Sequence, residues 1–168
     1  MGAVCKVVDA ILLLQFVLIS VVLPLFDMQI VLPGTIYPQV IVSWKNWYIG
    51  KFQDYLVVEK PHFFVALIWH EIVLLWPLTL LNVYGILTSK PWFKTTCLIF
   101  GASYVTTMTV AFGEMFGSKK ASDKMLMCYA AYTDAGILAL LRGLFPISCK
   151  LDAPTAAKGP ALARKKRA

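Results

Sequence analysis

The stretch DAILLLQFVLISVVLPLFDMQIVL, residues 9–32, decides the fold of this chain. Hydrocarbon about 30 Å thick is crossed by roughly 20 apolar helical residues, and this stretch is long enough. Pro24 interrupts it, and one aspartate, Asp27, lies near its far end. A second stretch with the same design, FFVALIWHEIVLLWPLTLLNVYGIL at residues 63–87, contains Glu71 and Pro77. Both stretches predict membrane-spanning helices that carry a carboxylate.

Two further apolar stretches follow, at residues 95–116 and 125–146. The whole chain is 59% hydrophobic and only 15% charged, which is too apolar for the surface of a soluble domain of this size. The sequence therefore predicts an all-α integral membrane protein with a bundle of four transmembrane helices. We expect residues 1–150 to form one membrane domain, with a long aromatic-rich loop at residues 33–62, and residues 151–168 to form a basic tail.

The basic residues predict how the chain is oriented in the membrane. Four spans place both termini on one side, and that side carries more Lys and Arg residues outside the spans than the other. By the positive-inside rule, both termini are expected in the cytosol. The chain ends in Lys165-Lys166-Arg167-Ala168, which resembles the dilysine signal that returns membrane proteins to the endoplasmic reticulum. Without a folded basic domain around it, the tail does not predict nucleic-acid binding.

Asp27 and Glu71 are the principal candidate site residues. Asp27 lies five residues before the end of the first span, and Glu71 lies eight residues into the second. At 1.5 Å per residue their depths from the lumenal side are about 8 and 12 Å, so contact between them is expected. Two adjacent carboxylates cannot both ionise cheaply, so the pair should share a proton and attract a cationic amine. Alternatively, Asp27 reaches the lumenal surface and Glu71 stabilises a contact between helices.

Neighbouring residues suggest a ligand pocket with an aromatic cover. Trp47 and Tyr48 are candidates for closing its lumenal end, although an aromatic belt at the membrane surface is an equally common role. Thr107 belongs to a hydroxyl-rich third span whose side chains either line a cavity or join helices. His70 should face a helix interface rather than Glu71, because adjacent helical residues diverge by about 100°.

Asp134 is an acidic residue in the fourth span without an evident partner. Arg142 lies about 12 Å away along the same helix, which is too far for an ion pair. The sequence leaves open whether Asp134 faces a cavity or a second subunit.

Several motifs resemble the EXPERA domain family. They are LFDMQIVLP at residues 25–33, Tyr37-Pro38, Trp47-Tyr48, Phe52, Asp54, Glu59, Pro61, and Glu71-Ile72-Val73 leading to Pro77. In receptor members of that family, the aspartate matching Asp27 meets the amine of cationic ligands, and the glutamate matching Glu71 hydrogen-bonds to it. The residue matching Asp54 is needed for ligand binding and orients the pocket from the loop.

The resemblance implies a four-helix bundle of the EXPERA type in the endoplasmic reticulum membrane, with a deep pocket that opens laterally to lipid. It also implies a homodimer, sterols and amphipathic amines as ligands, and a sterol-transport protein as a partner. We take Asp27, Glu71, Asp54, Tyr48, Trp47 and Thr107 as candidate ligand-binding residues. No catalytic residue, cofactor-binding motif or metal cluster is predicted.

Two other functions are alternatives to a receptor. The family also includes sterol double-bond isomerases, which place a histidine one helical turn before the glutamate. That position is Leu67 here, which argues against this activity. The second alternative is a membrane assembly factor that binds no ligand, in which the carboxylates are structural.

Overall fold

The computed structural model describes residues 2–145, with side chains from Cys5 onward. The predicted cytosolic tail at residues 151–168, its Lys165 and Lys166, and the end of the fourth span at Pro146 lie outside the described residues. Within the described range the chain is helical and has no strand. The elements, in order, are α1 (Gly2–Val22), a first π turn (Leu23–Asp27), α2 (Met28–Val31), a 3₁₀ turn (Gly34–Ile36), α3 (Gln39–Phe52), α4 (Tyr55–Glu59), α5 (His62–His70), a second π turn (Glu71–Leu75), α6 (Trp76–Leu87), α7 (Phe93–Ser118) and α8 (Asp123–Leu144).

Four of these helical units are long and apolar enough to cross a membrane, as predicted. The first span is Cys5–Val31 and the second is His62–Leu87; each is made of two α-helices joined by a π turn. The third span is Phe93–Ser118 and the fourth is Asp123–Leu144. Much of their surface is apolar and exposed, including Leu14 and Val73 at about 70%. A lipid environment stabilises such a surface, whereas water would not.

The third and fourth spans form the closest helix pair of the bundle. Gly101 of α7 lies directly against the backbone of Leu140, and a Cβ at Gly143 of α8 would be 2.6 Å from the Cα of Leu98. These glycines allow the two backbones to approach more closely than any side chain would permit, which is a common packing mode between membrane helices. The pair provides a rigid wall against which the first two spans pack.

The first span joins this wall through packing and through an ion pair. Phe16 and Phe100 form an edge-to-face contact with ring centroids 5.1 Å apart. Near the other end of the bundle from the two π turns, Arg142 Nε donates to Asp9 Oδ1 at 2.7 Å and Arg142 Nη2 donates to Asp9 Oδ2 at 3.2 Å. This bidentate pair connects the first and fourth spans and gives Arg142 the partner that its own helix lacks.

The segment between the first two spans differs from the expected loop, because α3 and α4 occupy most of it. Pro38 precedes α3, whose end is closed by Gln53 in the left-handed conformation. Asp54 then caps α4, and Lys60, also left-handed, ends it before Pro61 begins the second span. The segment is the predicted aromatic-rich connection between the first two spans, but it contains two helices that the sequence analysis did not predict, with short polar breaks at their ends.

Candidate functional site

The two intramembrane carboxylates lie on the two π turns of the bundle. Asp27 is the last residue of the first π turn, and Glu71 is the first residue of the second. The two turns are in contact with each other, so the chain brings these residues to one place, as predicted. Single π turns inside α-helices occur frequently at functional sites, because they redirect side chains that a regular helix would aim elsewhere.

Proline explains why the first π turn forms where it does. Pro24 has no N–H and cannot donate to the carbonyl of Ser20, so that carbonyl loses its helical partner. The indole Nε1 of Trp76 donates to the Ser20 carbonyl at 3.1 Å and replaces it. The hydroxyl of Tyr37 likewise donates to the Pro24 carbonyl at 3.2 Å. The irregular backbone beside Asp27 is therefore held by side chains from other elements, as buried polar groups in a membrane require.

The two carboxylates differ in burial. Glu71 is 8% exposed, whereas Asp27 is half-buried. No hydrogen bond joins the two side chains in the described part of the molecule. Because the turns that carry them touch, each carboxylate lies in the field of the other. Two acidic groups therefore lie close together, and Asp27 is more exposed to a ligand than Glu71.

Asp54 organises the neighbourhood of this pair from outside the spans. One of its oxygens, Oδ1, accepts from the backbone N–H groups of Leu56 and Val57 at 3.1 and 3.3 Å and so caps α4. The other, Oδ2, accepts from the hydroxyls of Tyr48 at 3.3 Å and Tyr129 at 3.1 Å. Burial raises the pKa of the Asp54 carboxyl, and the four hydrogen bonds act against that shift. With both oxygens bonded and 1% exposure, Asp54 acts by positioning other residues.

Tyr48 connects Asp54 to the first π turn. Its ring meets Phe26, the residue before Asp27, edge to face with centroids 5.2 Å apart. Its hydroxyl also lies 3.8 Å from the sulfur of Cys128 on α8. Burial, together with the charge of Asp54, raises the pKa of Tyr48 far above its ordinary value, so its hydroxyl remains a donor. Tyr48 therefore packs beside the first π turn, and its role as a covering residue stays a prediction.

Trp47 and Thr107 contact Lys51 and His70, respectively. Trp47 is 62% exposed, and Lys51 Nζ lies 4.8 Å above its ring. Thr107 is buried, with its hydroxyl 3.5 Å from His70 Nδ1 at the interface of the second and third spans. The expectation that His70 faces a helix interface is thus confirmed. Thr107 also borders an open cavity of about 470 Å³ between these spans, which Leu67 lines as well.

Two side-chain contacts in the bundle were not predicted from the sequence. Tyr129 was not chosen, although it holds Asp54; its position in the fourth span gave no signal of that long-range bond. The Asp9–Arg142 pair was also missed. Its signal was available, since one acidic and one basic residue lie at the same end of the first and fourth spans.

The described residues contain no group of three His, Cys, Asp or Glu side chains that could hold a metal ion. The π turns and the residues packed near them present carboxylates, tyrosine hydroxyls and aromatic rings. Such a set can bind an amine by charge and a hydroxyl by hydrogen bonds.

Comparison with known proteins gives a family match and several relatives. The family model described as "EXPERA (EXPanded EBP superfamily)" matches residues 40–141. A protein named sigma intracellular receptor 2 from Xenopus tropicalis is 28% identical over 134 residues, which cover 72% of this chain and 78% of that protein. Proteins of the same name from Macaca fascicularis and Homo sapiens are each 31% identical over 83 residues, covering 49% of this chain and 47% of theirs.

Proposed function

Because the chain belongs to the EXPERA family of membrane proteins, we propose that it is a sigma-2-receptor-like protein. It binds sterols and cationic amphiphiles in an intramembrane pocket. The observation that carries the proposal is the meeting of Asp27 and Glu71 on two touching π turns. The relatives named sigma intracellular receptor 2 support the receptor assignment. The process served is sterol homeostasis or trafficking.

The roles of the carboxylates follow from their exposure. Asp27, which is half-buried, meets the amine of a ligand, and the buried Glu71 acts on Asp27 from the touching π turn. One net negative charge in a medium of low dielectric attracts a cation more strongly than the same charge in water. The hydroxyl of a sterol uses the same oxygens through hydrogen bonds.

The residues around the pair fix the pocket. Asp54 holds Tyr48 and Tyr129 by hydrogen bonds, and we assign Tyr48, whose ring packs on Phe26, the role of covering the ligand. Trp47 and Thr107 remain predictions as ligand contacts. Trp47 is exposed, and Thr107 lies at the interface of the second and third spans.

The cellular setting is proposed from the sequence. The protein resides in the endoplasmic reticulum membrane with both termini in the cytosol, where Lys165 and Lys166 act as a retrieval signal. It works as a homodimer and passes sterol to a sterol-transport protein. No cofactor takes part.

Binding titrations on the purified protein in nanodiscs test this function. One labelled sterol and one cationic amphiphile are titrated against wild type, Asp27→Asn and Glu71→Gln. We expect Asp27→Asn to lower affinity for the amphiphile about 100-fold, because a lost charge pair in a desolvated pocket typically costs 2–5 kcal/mol. Glu71→Gln should have a smaller effect, because Glu71 acts through Asp27. The exposed Asp123→Asn serves as a control that keeps wild-type affinity.

Two outcomes would contradict the proposal. If Asp27→Asn binds the amphiphile as tightly as wild type, the carboxylate pair is structural and the assembly-factor alternative is favoured. If the protein restores normal sterols in cells that lack a sterol double-bond isomerase, it is an enzyme. We expect the unshifted precursor to accumulate there despite good expression.

A further inference from the structure

Asp134 is an acidic residue at the centre of a membrane span. It lies in the middle of α8 (Asp123–Leu144), about 15 Å from either end at a rise of 1.5 Å per residue. An aspartate side chain is far too short to reach the membrane surface from this depth. Asp134 must therefore be accommodated within the hydrocarbon.

The side chain of Asp134 lies on the outer face of the bundle. The buried residues of α8 define the inner face: Met125, Tyr129, Ala135, Gly136, Ala139 and Arg142. At 100° per residue, Asp134 projects nearly opposite to Tyr129 and Gly136, and it is exposed. Its neighbours along the same face are also exposed: Met127, Ala130, Ala131, Ile137 and Leu141. We call these five residues and Asp134 the outer stripe of α8.

Asp134 has no hydrogen bond or ion pair with any residue from Cys5 to Phe145. Two other acidic residues have partners: Asp9 binds Arg142, and Asp54 accepts four hydrogen bonds. Charged residues within membrane spans almost always face a bundle interior or a cavity and pair there. Asp134 instead faces outward, where only lipid or another protein can meet it.

We propose that the outer stripe of α8 binds a transmembrane helix of another protein that carries a basic side chain at the centre of the bilayer. Charge complementarity identifies this occupant, because a cation neutralises Asp134 and lipid chains do not. Ala130 and Ala131, which lie beside Asp134, leave room for close approach of a second helix backbone. The interaction is separate from ligand binding at Asp27.

A second copy of this chain fits the outer stripe less well. Two copies related by a two-fold axis through this face would bring Asp134 against the partner's Asp134, which adds like charge. The basic residue that α8 itself carries within the hydrocarbon, Arg142, is buried and already bonded to Asp9. A helix from a different membrane protein supplies the missing cation.

Energy transfer in phosphatidylcholine vesicles tests the proposal with defined probes. The donor-labelled full chain is mixed with an acceptor-labelled synthetic Leu/Ala helix that has Arg at its centre, or with the same helix with Leu there. We expect the Arg helix to associate on the order of tenfold more tightly than the Leu helix. Asp134→Leu should abolish this difference, and Asp123→Asn, at the end of the same helix, should preserve it.

Shape is tested separately from charge. Ala131→Leu keeps the carboxylate but fills the space beside it, so it should weaken binding of the Arg helix severalfold. Equal association of both helices with wild type, or full binding by Ala131→Leu, would overturn the proposal. The proposal would also be overturned if the labelled chain associates with itself and Asp134→Leu abolishes that association, because the outer stripe would then join two copies of this chain.

Discussion

The Asp54 side chain shows how one residue can govern a binding site without touching a ligand. It caps α4 with one oxygen and binds Tyr48 and Tyr129 with the other. These tyrosines belong to two further helices, so the position of three elements depends on one carboxylate. The resemblance to EXPERA receptors implied that Asp54 is needed for ligand binding, and the hydrogen bonds supply a physical reason for that expectation.

Replacing Asp54 should separate its charge from its hydrogen bonds. Asp54→Ala removes the helix cap, at a cost of about 1 kcal/mol, and leaves the buried Tyr129 hydroxyl unsatisfied at roughly 1–3 kcal/mol. Tyr48 loses its bond to Asp54 but keeps its contact with Cys128. Asp54→Asn has the same shape and retains an oxygen for the cap, so we expect it to lose clearly less stability. Unfolding in mixed micelles with increasing dodecyl sulfate measures both variants. Equal losses would mean that the negative charge matters more than the hydrogen-bond geometry.

At the scale of elements, the four spans could be predicted from the sequence, whereas the π turns could not. Long apolar stretches set the spans, because the bilayer thickness fixes their length. Pro24 and Pro77 indicated that two helices were interrupted, but not how. The form of the first π turn depends on Trp76 replacing the lost partner of Ser20, and that contact links residues far apart in the sequence. The close α7–α8 approach at Gly101 likewise depends on tertiary packing.

Helix α3 has three faces, and one of them suits a membrane surface. Its inner face is made of half-buried residues that include Tyr48 and Phe52. A polar exposed face consists of Gln39, Ser43, Asn46 and Gly50. An apolar face consists of Val40, Trp44 and Trp47, and each of these three side chains is more than 60% exposed. Because α3 lies in the segment between the ends of two spans, we expect its apolar face to meet the membrane surface. Tryptophan is enriched at such interfaces.

Nitroxide labels on α3 should therefore report two environments on one helix. We expect labels at Val40 and Trp44 to be more accessible to oxygen, which concentrates in lipid. Labels at Ser43 and Asn46 should be more accessible to a charged nickel chelate, which stays in water. The measurement is power-saturation electron paramagnetic resonance in phosphatidylcholine nanodiscs, with the chain lacking the added cysteine as the blank. Equal nickel access at all four positions would place the apolar face in water.

For the whole molecule, the sequence predicted that the segments carrying Asp27 and Glu71 come together, but not how the opposite end of the bundle is joined. Asp27 and Glu71 could be selected because carboxylates within apolar stretches are rare and informative. The Asp9–Arg142 pair closes the opposite end of the bundle by joining the first and fourth spans. Arg142 is 3% exposed at its side chain, and its Nη1 has no partner among the described residues. The pair is therefore well placed to hold the helices but incompletely satisfied.

A double-mutant cycle on Asp9 and Arg142 tests this role. Arg142→Met leaves the Asp9 carboxylate without its partner, so it should destabilise the bundle by about 3 kcal/mol. This value is the lower end of the range for broken buried pairs, because Asp9 is partly exposed. Asp9→Leu combined with Arg142→Met removes both charges and the unsatisfied Nη1, and we expect it to recover most of that loss. Unfolding by dodecyl sulfate in mixed micelles gives the four stabilities. If the double variant instead loses as much stability as the two single variants together, charge pairing does not join the two spans. The packing of Arg142 against the Phe93 ring, 5.6 Å from its guanidinium, would then be the cause.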